Sequence, residues 1–388
     1  MVFFIRLLAG FVGVIPPVIA LRFNSSADYG HVSVLFAHVL IVLGPLFQYL
    51  NQGYLRNLSS ATKIKGDILI VYYLIFGLSV LVFISTDWYS ALYFLVMMIL
   101  CFLLKILEVR LLATERKIAA VLICYVSPYF IYSLILVSAI YFVSQGWRDI
   151  ALFQTFSWLM ACGLAVFFLG IKETFKIFSE IFSDGFRISF KGWVFYFNGI
   201  ILSSLENLPV IFLGLRGGNA IIPSFEVIKK IFSVISVMVQ GLTMVHNTSL
   251  YKFAFIDENL FKTEFSRLRK SIFLACLLYF VSLCVFIYLA EGYIKEYRFD
   301  GDVHFFIFIG LSSLITAIFS AYGSGLTAMH GEKWWTAGAI SGLLAFFITL
   351  MINEDIKYIA TAIFVQNLVL SAAVFVGYHN NFSKWRKG

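Results

Sequence analysis

Apolar runs of about twenty residues recur from one end of this 388-residue chain to the other, parted by short charged turns. Twenty residues of α-helix rise about 30 Å, the thickness of a bilayer's hydrocarbon core. In lipid each backbone amide and carbonyl must find its partner inside the protein, so runs of this length fold as helices. The composition agrees. It is 61% hydrophobic and 13% charged, whereas soluble domains are nearer half apolar and about a quarter charged. The fold class is therefore all-α, a polytopic membrane protein.

Twelve spans are predicted. Six precede a charged linker: Val2–Leu21, Gly30–Leu50, Ile68–Ile84, Tyr89–Leu107, Ile118–Val143 and Ile150–Gly170. Six follow it: Gly192–Leu213, Ile221–Met244, Ser271–Ala290, Val303–Met329, Trp334–Met351 and Tyr358–Tyr378. The linker, residues 171–187, has Ile171, Phe175, Phe178, Ile181 and Phe182 at helical spacing with charges between them. It reads as an amphipathic helix lying on the membrane surface. The expected organisation is a six-helix lobe plus linker over 1–187 and a second six-helix lobe over 188–388. EVRLLATERK, after Leu107, and the stretch from His246 to Lys270 are expected to be polar loops.

Orientation follows from the basic residues. With both termini cytoplasmic, the inner segments carry 21 Lys and Arg and the outer segments 6, leaving Lys229 and Lys230 within the membrane. Six of the seven tryptophans fall at expected interfaces, and Trp158 alone lies inside a span. The net charge of +8 is thus an orientation signal, not a nucleic-acid footprint. The five cysteines sit in apolar segments without metal-ligand spacing, and the six histidines form no HExxH or other close pair. No GxxxxGK[ST] phosphate loop is present, and no loop is long enough for a soluble catalytic domain. The expectation is a transporter without a resident cofactor, driven by proton or sodium coupling.

The chemistry concentrates in Ile221–Met244. Glu226, Lys229 and Lys230 lie inside that span, and the two lysines are roughly 13–15 Å in, near the bilayer midplane. A lysine there costs about 2.5–3.5 kcal/mol against lipid, so both should face water, an acid or an anionic substrate. Glu226 is three and four residues from the lysines and could neutralise one. Glu206 in the preceding span falls at similar depth and has two readings: an ion-pair partner for the lysines, or a titrating coupling group. Gln48 and Gln52, with Gln240, gather at the inner ends of two spans and could receive sugar hydroxyls, or be ordinary interfacial polarity. Arg22 and Arg216 cap outer turns and could receive phosphate, or serve only the loops. All six prolines lie within spans, where kinks would open a cavity.

Several stretches resemble a known family. ALRFNSSADYG (Ala20–Gly30) is similar to the signature after the first span of polysaccharide flippases, with Phe23-Asn24 where that family has Leu-Gly. SSLENLPVIFLG (Ser203–Gly214) resembles their seventh span, with Glu206 as its acidic residue. FEVIKKI (Phe225–Ile231) resembles their eighth, with Lys230 at the basic position and Pro223 where a Gly is usual. GLTAMHGEKWW (Gly325–Trp335) resembles the turn into their eleventh. The family is the O-antigen and capsule repeat-unit translocases of the multidrug/oligosaccharidyl-lipid/polysaccharide (MOP) exporter superfamily. The resemblance implies two six-helix lobes in a bacterial inner membrane and a cationic cavity. It also implies flipping of an undecaprenyl-pyrophosphate-linked oligosaccharide, with membrane lipids and the pathway's polymerase and chain-length proteins as partners. Two other functions stay open at this point: a membrane-embedded O-antigen polymerase, and a drug or small-molecule exporter of the same superfamily.

Overall fold

The computed structural model describes residues 8–22, 26–48, 87–113, 116–139, 146–176, 193–254, 257–296, 303–329 and 331–385. All regular structure among them is helical. Eight helices are long and apolar enough to cross a membrane, and residues 8–22 and 199–215 add two shorter apolar helices. The expected third span lies outside the described residues, as does the lobe boundary expected at 187/188. The described helices divide into two compact units, Met1–Pro223 and Ser224–Gly388.

The first unit contains α1 (Ile15–Arg22), α2 (Ser26–Gln48), α3 (Trp88–Ala113), α4 (Lys117–Val121), α5 (Ser127–Ala139), α6 (Trp147–Leu169) and α7 (Trp193–Leu215). A π-helical turn, Leu122–Val126, joins α4 to α5. Contacts among α2, α3, α5 and α6 form its core, in which Phe94, Met97 and Leu107 are fully buried. Trp158, the one tryptophan placed inside a span, is buried there between the rings of Phe36 and Tyr129. The α2–α7 pair makes the most extensive contact in this unit. Lipid tails are as apolar as leucine, so helices in a membrane associate by close approach and interhelical hydrogen bonds. Both devices occur here. A Cβ on Gly44 would lie 2.7 Å from the Gly199 carbonyl oxygen, and one on Gly199 would lie 2.6 Å from that of Gly44. Beside them Ser203 Oγ donates to the Leu40 carbonyl at 2.6 Å.

The second unit contains α8 (Ile222–Phe253), α9 (Glu258–Glu296), α10 (Val303–Ala328), α11 (Glu332–Ile352) and α12 (Tyr358–Trp385). Contacts run α9–α10, α10–α12 and α11–α12. One end of this unit is filled by aromatic rings, with Phe265 stacked on Tyr378 at 4.6 Å and Tyr322 edge-on to both.

Two expected loops are mostly helix among the described residues. EVRLLATERK begins inside α3, which continues to Ala113 because Lys105 and Glu108 neutralise each other within it. The stretch from His246 to Lys270 is the end of α8 and the start of α9. Local pairs carry the helix past its apolar part: Glu258–Lys262 at 2.5 Å and Glu264–Arg267 at 3.6 Å. Asp257 caps α9 by accepting from the amides of Asn259 and Leu260. Of the expected surface helix, residues 171–176 are helical, with Ile171 and Phe175 exposed and Glu173 paired to Arg110 at 3.3 Å. Its remaining residues lie outside the described set.

Candidate functional site

The chain enters α8 through a 3₁₀ turn, Asn219–Ile221. Pro223 suits this position, because the first turn of a helix has no use for its amide. Lys229 and Lys230 therefore lie roughly 10–12 Å past the first helical residue. Along α8 two rows run side by side. Phe225, Ile228, Phe232, Ile235 and Val239 alternate spacings of three and four and are all buried in the second unit. One residue further on, Glu226, Lys229, Ser233, Ser236 and Thr243 keep the same spacing and are all half-buried. Gln240 and Asn247 fall in this polar row by register, and Lys230 flanks it. From Glu226 to Thr243 the row rises about 26 Å. α8, expected to be the eighth span, is not among the eight described helices long and apolar enough to cross a membrane, and its polar row sets it apart from them.

The backbone beside the lysines is also tied by side chains. Ser233 Oγ donates to the Lys230 carbonyl at 2.7 Å, and Tyr279 Oη of α9 donates to the Ile231 carbonyl at 2.5 Å. Phe232 meets the ring of Phe306 edge-on at 4.9 Å and rests against Gly310. The α8 backbone is thereby fixed to α9 and α10, and the polar row is held in one orientation. Glu226 and the two lysines share a face at spacings of three and four, with a formal charge of one positive.

The other site residues expected from the sequence lie on other elements or outside the described residues. Glu206 is exposed on α7, in the first unit. Arg22 closes the last turn of α1. Arg216 follows the end of α7, where its amide donates to the Phe212 carbonyl. Gln52 lies outside the described residues, as do the side chains of Gln48 and Gln240.

A second charged cluster was not foreseen. In the first unit Lys105 Nζ lies 2.7 Å from Glu108 Oε2, and both residues are buried, at 8% and 5% exposure. Tyr125 Oη, from the π turn, donates to Glu108 Oε1 at 2.8 Å. The rings of Phe47 and Tyr125 lie 5.7 and 6.0 Å from the ammonium. Both carboxylate oxygens are engaged and the pair is neutral, so the cluster clamps α3 to the π turn. It offers no net charge to an anion.

No protein-family profile matches the sequence, and no curated protein matches it. Solved structures do. The crystal structure of the eukaryotic MATE transporter AtDTX14 aligns over 99% of this chain and 97% of its own, at TM-score 0.54 and 12% identity. An inward-facing conformation of a multidrug resistance MATE family transporter of the MOP superfamily aligns over 100% and 96%, at TM-score 0.58 and 14% identity. The fold is that of the MATE transporters. With this fold, and with eight helices among the described residues long and apolar enough to cross a membrane, the chain is a multi-pass membrane protein.

Proposed function

We propose that this chain moves a lipid-linked oligosaccharide, an undecaprenyl-pyrophosphate-linked repeat unit, across a bacterial inner membrane by alternating access. The product would feed O-antigen or capsule assembly. The observation that carries this reading is the polar row on α8, with two lysines and one glutamate at its head and neutral polar groups along the rest. Lys229 and Lys230 attract the pyrophosphate or an acidic sugar. Gln48, Gln52 and Gln240 meet sugar hydroxyls, and Arg22 and Arg216 meet the phosphate at the outer turns. Glu206 and Glu226 are the carboxylates for proton or sodium coupling, and no resident cofactor is required. The partners are membrane lipids and the pathway's polymerase and chain-length proteins.

The test is the polysaccharide of a strain lacking this gene, complemented with the wild type or with the double variant Lys229→Ala/Lys230→Ala. Wild type should restore long chains, and the variant should insert into the membrane yet restore none. Full restoration by the variant would remove the lysines from the mechanism. Core carrying a single repeat unit in the deletion strain would mean that units still cross and only polymerisation fails. A second reading, export of small organic molecules, has one observation in its favour: the MATE fold is shared with a multidrug transporter. The positive charge of the α8 row would repel cationic drugs. Unchanged polysaccharide together with drug sensitivity in the deletion strain would nevertheless make that reading the better one.

A further inference from the structure

A groove of about 430 Å³ runs along the second unit between α9 and α10. Its lining is Arg269, Lys270, Phe273, Leu274, Ile318 and Tyr322. On α9, Arg269 stands one turn from Phe273 and Lys270 one turn from Leu274, so two cations sit directly above two apolar side chains on one face. On α10, Tyr322 stands one turn from Ile318. Tyr322 touches Phe265 of α9, one turn before Arg269, so the tyrosine lies at the charged end and Ile318 at the apolar end. Arg269 and Lys270 are also the last charges of α9 before the apolar run from Ser271, which puts them at the level of lipid headgroups.

These residues are open to their surroundings. Arg269 and Lys270 are exposed, and Phe273 and Leu274 are 60% and 55% exposed. We propose that the groove is a binding site for an anionic phospholipid, with its phosphate on Arg269 and Lys270 and the start of its acyl chain along Phe273, Leu274 and Ile318. Charge selects the occupant. Two adjacent cations at headgroup depth favour an anionic over a zwitterionic head. Among the described residues the lining holds no amide or carboxylate of the kind a sugar chain would need, which favours a phospholipid with a small head over a glycosylated carrier.

The test uses the full-length protein, purified and delipidated, then reconstituted into nanodiscs of phosphatidylcholine with increasing phosphatidylglycerol. Lipids retained after mild detergent extraction are counted by native mass spectrometry. Wild type should retain phosphatidylglycerol selectively. Arg269→Ala/Lys270→Ala should weaken that retention roughly twentyfold, since each cation at a membrane surface contributes about a factor of five. Leu274→Trp fills the groove with both cations in place and should abolish retention in a protein that elutes as a single species. Lys252→Ala/Lys333→Ala removes two exposed cations that do not line the groove and should change little. Equal retention of the two lipids by wild type would overturn the proposal. So would a loss in the Lys252/Lys333 variant as large as that in the Arg269/Lys270 variant, because diffuse surface charge would then suffice. Stoichiometric displacement of phosphatidylglycerol by undecaprenyl phosphate would reassign the groove to the carrier lipid. None of these readouts depends on transport.

Discussion

Glu108 is buried and accepts from two donors. Removing one partner of a buried ion pair strands the other, at a cost of about 3–5 kcal/mol. Glu108→Ala should therefore destabilise the first unit by that much. Lys105→Met/Glu108→Leu, which removes both charges, should cost much less. Thermal unfolding in detergent distinguishes the two variants, and equal losses would refute the clamp. Asp87 acts differently, at the exposed start of α3. Its carboxylate accepts from the amides of Ser90 and Tyr89 at 3.0 and 2.9 Å and from the Ser90 hydroxyl at 2.9 Å. The Ser90 amide is the main cause that holds its pKa below the ordinary 3.8, with the Ser90 hydroxyl, the Tyr89 amide and the Arg148 charge adding to it against the effect of burial. A lowered carboxylate stabilises the fold above its ordinary range and stops doing so as pH falls below 3.8. Asp87→Asn should keep the cap near neutral pH and flatten this acid-side loss, whereas Asp87→Ala should cost about 1 kcal/mol at pH 7. Unfolding followed from pH 7 down to pH 3 reads both. Sequence reasoning found Lys229 and Lys230 because they interrupt an apolar run. It missed Lys105 and Glu108 because they stand where such a run ends, and charges there look like the start of a loop.

At the scale of elements, the α2–α7 seam depends on the absence of side chains. A methyl at Gly44 would enter the Gly199 backbone and Ser203, so Gly44→Ala must push two helices apart, at a cost of about 1–3 kcal/mol. A methyl at Gly163 on α6 would meet nothing within 4 Å, and Gly163→Ala should leave the melting temperature nearly unchanged. The comparison is made in the same detergent, and a similar loss in both would show that helix propensity, not the seam, decides. Helix existence was legible from hydropathy, which is why α2, α6, α10 and α12 lie close to their expected spans. Helix ends were not. α9 runs on through polar residues because the Glu258–Lys262 and Glu264–Arg267 pairs and the Asp257 cap satisfy what lipid no longer covers. The polar row of α8 was present in the letters as alternating threes and fours, but the apolar residues beside it outweighed it in any average over the span.

At the scale of the whole molecule, the expected arrangement of 21 basic residues inside and 6 outside demands a cytoplasmic C-terminus. A green fluorescent protein fused after Gly388 should fluoresce, and alkaline phosphatase fused at the same point should be inactive. The reverse pattern would invert every loop and place the Arg269/Lys270 groove in the opposite leaflet. Fold and orientation are properties of the full hydropathy and charge pattern, so a sequence carries them even at 12–14% identity to its structural counterparts. In the proposed function, substrate choice rests on a few side chains along α8, and no average over the chain records them. The π turn at Leu122–Val126 has a consequence of another kind. A π turn holds about one residue more than the α-helical turn it replaces. It thus behaves as an insertion that the helix has absorbed, and the phase of everything beyond it is set there. A chain one residue shorter at this turn would run as plain α-helix and still present Tyr129, Tyr132 and Ser133 to the same neighbours. It would, however, lose the bulge from which Tyr125 reaches Glu108.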